Sequence, residues 1–126
     1  MNKKYRLKKT FEIEKLFKKK LSVGNSFFVI YYNVSSINTP KIAFSVSKKL
    51  GNAVFRNKEK RILREIFRKH IDIINNLEIL IVERKNAINL TFEEKEKQIY
   101  NLFCKINKKR STKWKTKRIW YLLSYY

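Results

Sequence analysis

The chain has 126 residues, 31 Lys and Arg against 10 Asp and Glu, and a formal net charge of +21. That length suits one domain with a real core, and 44% hydrophobic residues with 14% aromatics exclude a purely disordered basic tail. One Cys and one His exclude an internal disulfide framework, a Cys-based zinc cluster and a multi-histidine metal site, while two Gly and one Pro exclude a collagen-like or low-complexity linker protein.

The first twenty residues are charged throughout and lack the apolar h-region of a secretion signal. The longest apolar stretches are strand-sized, well short of the ~18–20 residues of a membrane span. The expectation is a cytoplasmic protein. So one-sided a charge calls for a polyanionic partner, nucleic acid first and an anionic membrane surface second. Abundant Lys, Ile and Asn fit an AT-rich coding bias, which does not account for the excess of base over acid.

Residues 2–20 are basic, and within them a short helix is expected, ending at Lys18-Lys19-Lys20. Thr10 caps it, Glu12 and Glu14 sit in its first turn, and Ile13, Leu16 and Phe17 share an apolar face. Ser26–Val34, aromatic and β-branched, reads as a strand bounded by Gly24-Asn25 and a polar stretch over 35–40. Lys41–Ser47 alternates, with Ile42, Phe44 and Val46 on one face and Ala43, Ser45 and Ser47 on the other. These two strands are expected to pair antiparallel across the 35–40 connection.

Gly51-Asn52 breaks the pattern, and a long helix is expected to run to about Asn75. Leu77–Arg84 is a further strand. Thr91 with Glu94 makes a capping box that opens a last helix, whose apolar face is Ile99, Leu102, Phe103 and Ile106. Helix, strands, helix, strand, helix is an α+β order. From Lys105 to Tyr126 the chain holds eight Lys and Arg, no acid and five aromatics. This segment reads as an appended arm, open to stacking on RNA, to contact with a membrane surface, or to no fixed role.

The long helix is the informative element. At about 100° per residue, Arg56, Asn57, Lys60, Arg61, Arg64 and Arg68 share one arc. Phe55, Ile62, Leu63, Ile66, Phe67, Ile73 and Ile74 fill the opposite side. Glu59 intrudes on the apolar side, where a first-turn position would suit it to the helix dipole. A solvated face normally mixes signs, and like charges at i,i+4 repel by a few tenths of a kcal/mol per pair. Five cations on one arc therefore favour contact with a nucleic acid over an ordinary solvated face.

The stretch Ser45-Val46-Ser47-Lys48-Lys49-Leu50-Gly51-Asn52-Ala53-Val54-Phe55-Arg56-Asn57-Lys58-Glu59-Lys60-Arg61-Ile62-Leu63-Arg64-Glu65 resembles the signature of the bacterial ribonuclease P protein subunit, roughly S-V-S-K-K-x-G-N-A-V-x-R-N-R-x-K-R-x-x-R-E. The flanks agree in order, from a basic Arg6-Leu7-Lys8-Lys9 start through the Phe28–Tyr31 strand to the strand and helix after residue 77. The resemblance covers about residues 4–107 and divides the chain into a ribonuclease P protein domain at 1–107 and a basic, aromatic-rich extension at 108–126.

The resemblance implies a single α+β domain of order α-β-β-β-α-β-α, a two-layer sandwich around a central basic helix with a left-handed crossover. It implies a subunit of the ribonucleoprotein endonuclease that removes the 5′ leader from precursor tRNA. Hydrolysis is expected from the RNA subunit and its magnesium, so no catalytic residue, metal ligand or bound cofactor is expected in this chain. The protein is expected to broaden substrate binding and lower the magnesium requirement.

Two surfaces follow from the same resemblance. Arg56, Asn57, Lys58, Lys60, Arg61, Arg64 and Arg68 are expected to face the RNA subunit. A cleft between the first helix and the sheet is expected to hold the single-stranded leader, with Phe17, Phe27, Val29, Tyr31, Ser45, Ser47, Lys48 and Lys49 as its residues. The expected partners are the ribonuclease P RNA and precursor tRNA, with no membrane and no obligate protein partner. The chain departs from the family pattern twice. Glu12-Ile13 stands where an acid-aromatic pair is usual, with Phe11 as a candidate replacement, and Lys58 replaces an Arg and so lacks its bidentate fork.

Cys104, beside Phe103, reads as core or passive surface, and His70 as a partner of the basic helix's end rather than of a metal. An alternative reading is a structural, ribosome-associated RNA-binding protein with no processing role. A membrane-active cationic protein is a third, which the strands and the signature disfavour.

Overall fold

The structure, a computed structural model, describes residues 21–34, 40–74 and 76–124, with side chains described as far as residue 109. The expected first helix, with Phe11 and Phe17, lies outside the described residues. The elements are β1 (Ser22–Gly24), β2 (Phe28–Val34), β3 (Lys41–Ser45), α1 (Ala53–Lys69), β4 (Leu77–Glu83) and α2 (Phe92–Ser124). Short 3-10 turns fall at Lys48–Leu50, Ile71–Ile74 and Lys85–Ala87.

Asn25 makes the β1–β2 hairpin. Its Oδ1 accepts from the backbone N–H of Phe27 and of Phe28, each at 2.8 Å, and its Nδ2 donates to Gln98 on α2 at 3.2 Å. A single polar side chain thus sets the turn and ties it to the last helix.

The sheet order is β1-β2-β4-β3. The expected antiparallel pairing of β2 with β3 does not occur. β4 lies between them, antiparallel to β2 and parallel to β3. The physical reason is in β4 itself. Leu77, Ile79 and Ile81 are buried on one face and Leu80 on the other, and a strand apolar on both faces needs the sheet's centre. β3 carries Lys41, Ala43 and Ser45 on its second face and is suited to an edge. A parallel neighbour requires a crossover connection, which α1 supplies.

The core lies between the sheet and the helices. Phe28 and Ile30 of β2 and Ile79 and Ile81 of β4 are fully buried, as are Leu63 and Ile66 of α1. The apolar face read for α2 is all there: Ile99, Leu102, Phe103 and Ile106 are each 0% exposed. The Thr91–Glu94 capping box also forms. Thr91 Oγ1 accepts from Glu94 N at 3.2 Å, and Glu94 Oε2 accepts from Thr91 N at 3.4 Å.

Asn52 caps α1, its Oδ1 accepting from Phe55 N at 2.9 Å. The helix ends at Lys69, earlier than the expected Asn75. Three Ile in four residues (Ile71, Ile73, Ile74) are poor helix formers, and the chain tightens into a 3-10 turn that buries Ile74. Asn76 then takes φ 66°, a left-handed conformation that Asn tolerates, and turns the chain into β4.

Glu59 corrects the sequence reading most sharply. No acid lies in the first turn of α1, and Glu59 is 4% exposed, inside the core. Lys95 Nζ on α2 donates to its Oε2 at 2.6 Å and lies 4.0 Å from Glu83 Oε1 at the end of β4. Glu83 is pushed up from an ordinary 4.5 to about 8. Burial is the main cause; the neighbouring carboxylate of Glu59 adds to it, against the pull of Lys95.

Between about pH 4.5 and 8 the folded chain therefore keeps a proton that the unfolded chain has released. Stability contributed by this group is full below that window and is lost as pH rises through it. Glu83→Gln, which keeps the shape and a neutral side chain, should flatten the decline. Denaturant midpoints measured across the window check this, and an equal decline in the variant would assign it to another group.

Candidate nucleic-acid interface

Two surfaces emerge from this frame. The first is the outer side of α1. Asn57, Lys58, Arg61 and Arg68 are exposed and Arg56, Lys60 and Arg64 half-buried, so all seven residues expected on this face reach the surface. The buried residues of the helix, Glu59, Leu63, Ile66 and Phe67, follow helical spacing on its other side.

Among the described residues, one ion pair touches the basic arc, Arg68 to Glu65 at 3.3 Å, with both side chains half or more exposed. Such a pair contributes at most about 1 kcal/mol, so the arc keeps its positive field. The arc continues in sequence into Lys48 and Lys49, both exposed. They stand on the 3-10 turn that Ser47 caps, its Oγ accepting from Lys49 N at 3.2 Å. Gly51 joins this turn to α1 in extended backbone. A Cβ there would lie 2.5 Å from Phe55 Cδ1, so the close approach of backbone to ring requires glycine.

The second surface is the sheet face turned away from the core. Pairing places residues across it in rows. Ser22, Tyr31, Leu80 and Ala43 form one, and Gly24, Val29, Val82 and Ser45 the next. Leu80 is buried in a small cluster with Tyr31, Ala43 and Val82 around it. Asn33, Glu78 and Lys41 make a polar third row. The face is thus apolar and shallow in the middle and polar at one end.

The expected cleft residues part company here. Val29, Tyr31 and Ser45 share this face, all half-buried. Ser47 lies past the end of β3, which stops at Ser45, and Lys48 and Lys49 follow it. Phe27, half-buried, precedes β2 and touches the main core cluster; its carbonyl accepts from Arg84 N beside the end of β4. Sequence reasoning missed Leu80 and Val82. The unbroken apolar run Leu77–Val82 was the available signal, since it marks a strand with two occupied faces.

His70 does serve the end of α1. It is the residue after the helix, its backbone N–H donating to Phe67 O, and its Nε2 lies 3.0 Å from Glu96 Oε1 of α2. Its ring sits 5.1 Å from that of Tyr100. Cys104 is exposed and free. Among the described residues, no cluster of three His, Cys, Asp or Glu is placed to hold a metal, and no helix is long and apolar enough to cross a membrane.

A family model described as ribonuclease P matches residues 1–107. A ribonuclease P protein component from Bacillus velezensis is 38% identical over 120 residues, covering 90% of this chain and all of that relative. A solved RNase P protein from Staphylococcus aureus superposes with a TM-score of 0.72 at 37% identity, over 78% of this chain and 91% of that one. The RNase P protein from Thermotoga maritima gives 0.73 at 28% identity, over 78% and 94%. The signature across β3 and α1, the four-stranded sheet and these likenesses agree: the chain belongs to the ribonuclease P protein family.

Proposed function

We propose that this chain is the RNA-binding subunit of ribonuclease P, acting with the ribonuclease P RNA to remove the 5′ leader from precursor tRNA in the cytoplasm. The observation that carries the reading is the separation of two unlike surfaces on one small domain. The α1 arc, with Arg56, Asn57, Lys58, Lys60, Arg61, Arg64 and Arg68, has the one-signed charge that suits a folded RNA backbone. The sheet face has a tyrosine over an apolar, small-residue floor, which suits unpaired nucleotides.

In this reading α1 docks on the RNA subunit. Val29, Tyr31 and Ser45 receive the leader, with Ser47, Lys48 and Lys49 near its phosphates. The hydrolysis and its magnesium belong to the RNA. The protein's own contribution is binding: neutralising phosphates lets the RNA fold and hold substrate at lower magnesium, and holding the leader extends the substrate contact beyond the tRNA body. Stacking tolerates any base, which suits leaders of varied sequence.

Arg61→Ala with Arg64→Ala should make binding to the ribonuclease P RNA less salt-dependent. Roughly one counterion is released per phosphate contact, so the log–log slope should fall by about two; an unchanged slope would count against this face. Tyr31→Ala should raise the precursor Kd about tenfold, within the ~1–3 kcal/mol of one stacked base, and leave mature tRNA binding unaltered. Equal losses on both RNAs would remove the leader from the sheet face, and indifference of the wild-type protein to the leader would favour a structural RNA-binding role.

A further inference from the structure

The N-terminal half of α1 carries most of the basic arc and little of the helix's anchorage. Val54 is 78% exposed, and Phe55 and Ile62 are half-buried. Glu59 is the first buried residue after the Asn52 cap. That anchor is ionic. Its partner Lys95 stands on α2 at 2.6 Å, and Glu83 of β4 lies 4.0 Å from the same ammonium. The side chains of Glu59, Lys95 and Glu83 are 5%, 3% and 0% exposed.

Three elements thus converge on one buried ammonium. Apolar contacts such as those of Leu63 and Phe67 are non-directional and tolerate a small roll of the helix. A short charge-assisted hydrogen bond fixes distance and angle. Buried ion pairs contribute little net stability, because desolvation offsets their attraction. Their effect here is orientation.

We propose that Glu59, Lys95 and Glu83 form a buried positioning triad that sets the roll of α1 and so aims Arg56, Lys60, Arg61 and Arg64 at the RNA. The inference rests on the reading of α1 as the RNA-subunit face. Each member acts through the helix and touches no RNA itself. Glu83 has a defined part: it is the second carboxyl within reach of Lys95. If Glu59 loses its charge, Glu83 takes over the ammonium. The β4–α2 junction then keeps its balance while α1 loses its anchor.

The test uses the full chain in two variants, Glu59→Gln and the apolar triple Glu59→Leu, Glu83→Leu, Lys95→Met. Thermal midpoints are measured first, then equilibrium binding to a bacterial ribonuclease P RNA across a salt series. Both variants should stay folded near the wild-type midpoint. Both should bind about tenfold more weakly, with a slope reduced by about one phosphate contact or more. Glu59→Gln removes one negative charge and an ionised Glu83 at most restores it, so net charge alone would tighten binding or leave it unchanged, and a loss is diagnostic.

Folded variants with wild-type affinity and slope would overturn the triad's role, as would a lowered midpoint with an unchanged slope. Should the triple variant not fold, a wild-type slope in Glu59→Gln overturns it equally. A wild-type protein that does not prefer this RNA over another structured RNA would fail the reading of α1 itself, and the inference with it.

Discussion

Leu77–Glu83 carries apolar side chains on both of its faces, and such a strand belongs at the centre of the sheet, here between β2 and β3. Leu77, Ile79 and Ile81 meet the helices while Leu80 closes the small cluster behind. This two-faced strand sets the rest. It separates β2 from β3, forces the β3-to-β4 link to be a crossover, and makes α1 that crossover. The helix is therefore held at the sheet from one side, and its other side carries the exposed residues Asn57, Lys58, Arg61 and Arg68. The basic arc and the shallow sheet face are consequences of one central strand with one helix crossing it.

Charge is then distributed by burial. Of the acids the structure describes, Glu59 and Glu83 lie in the core, and Glu93 and Glu94 stand in the first turn of α2, where the helix dipole favours them. Glu96 is engaged with Lys69 and His70, at 3.7 and 3.0 Å. Glu65 alone borders the arc. Over the ~10 Å that a field survives at moderate salt, the outer side of α1 is left almost purely positive. Burying acids behind a basic helix does two things at once: it removes their charge from the outer surface of α1 and gives the helix directional anchors.

Local signals in the sequence were legible where local chemistry decides. The Asn52 cap, the Thr91–Glu94 box, the apolar face of α2 and the one-signed arc of α1 all depend on residues within a turn or two of each other. Strand order was not legible, because β2 and β3 are close in sequence and the strand that separates them arrives some thirty residues later. Glu59 was misjudged for the same reason. On a helical wheel it is a stray acid, and its partner Lys95 lies 36 residues away. Phe27 reads as a strand residue, yet it lies before the start of β2 and touches the main core cluster. The two faces of β4 could have been read from its unbroken apolar run, which pointed to Leu80 and Val82 as the floor of the candidate cleft.

We read this chain as working only as the partner of a catalytic RNA. The direct measurement is to mix the full chain with a bacterial ribonuclease P RNA and a 5′-labelled precursor tRNA at low magnesium, and to map the cleavage site. Cleavage at the mature 5′ end is expected when both are present, and none with the protein alone or with the RNA alone at that magnesium level. Cleavage by the protein without RNA, or tight RNA binding with no stimulation, would contradict it.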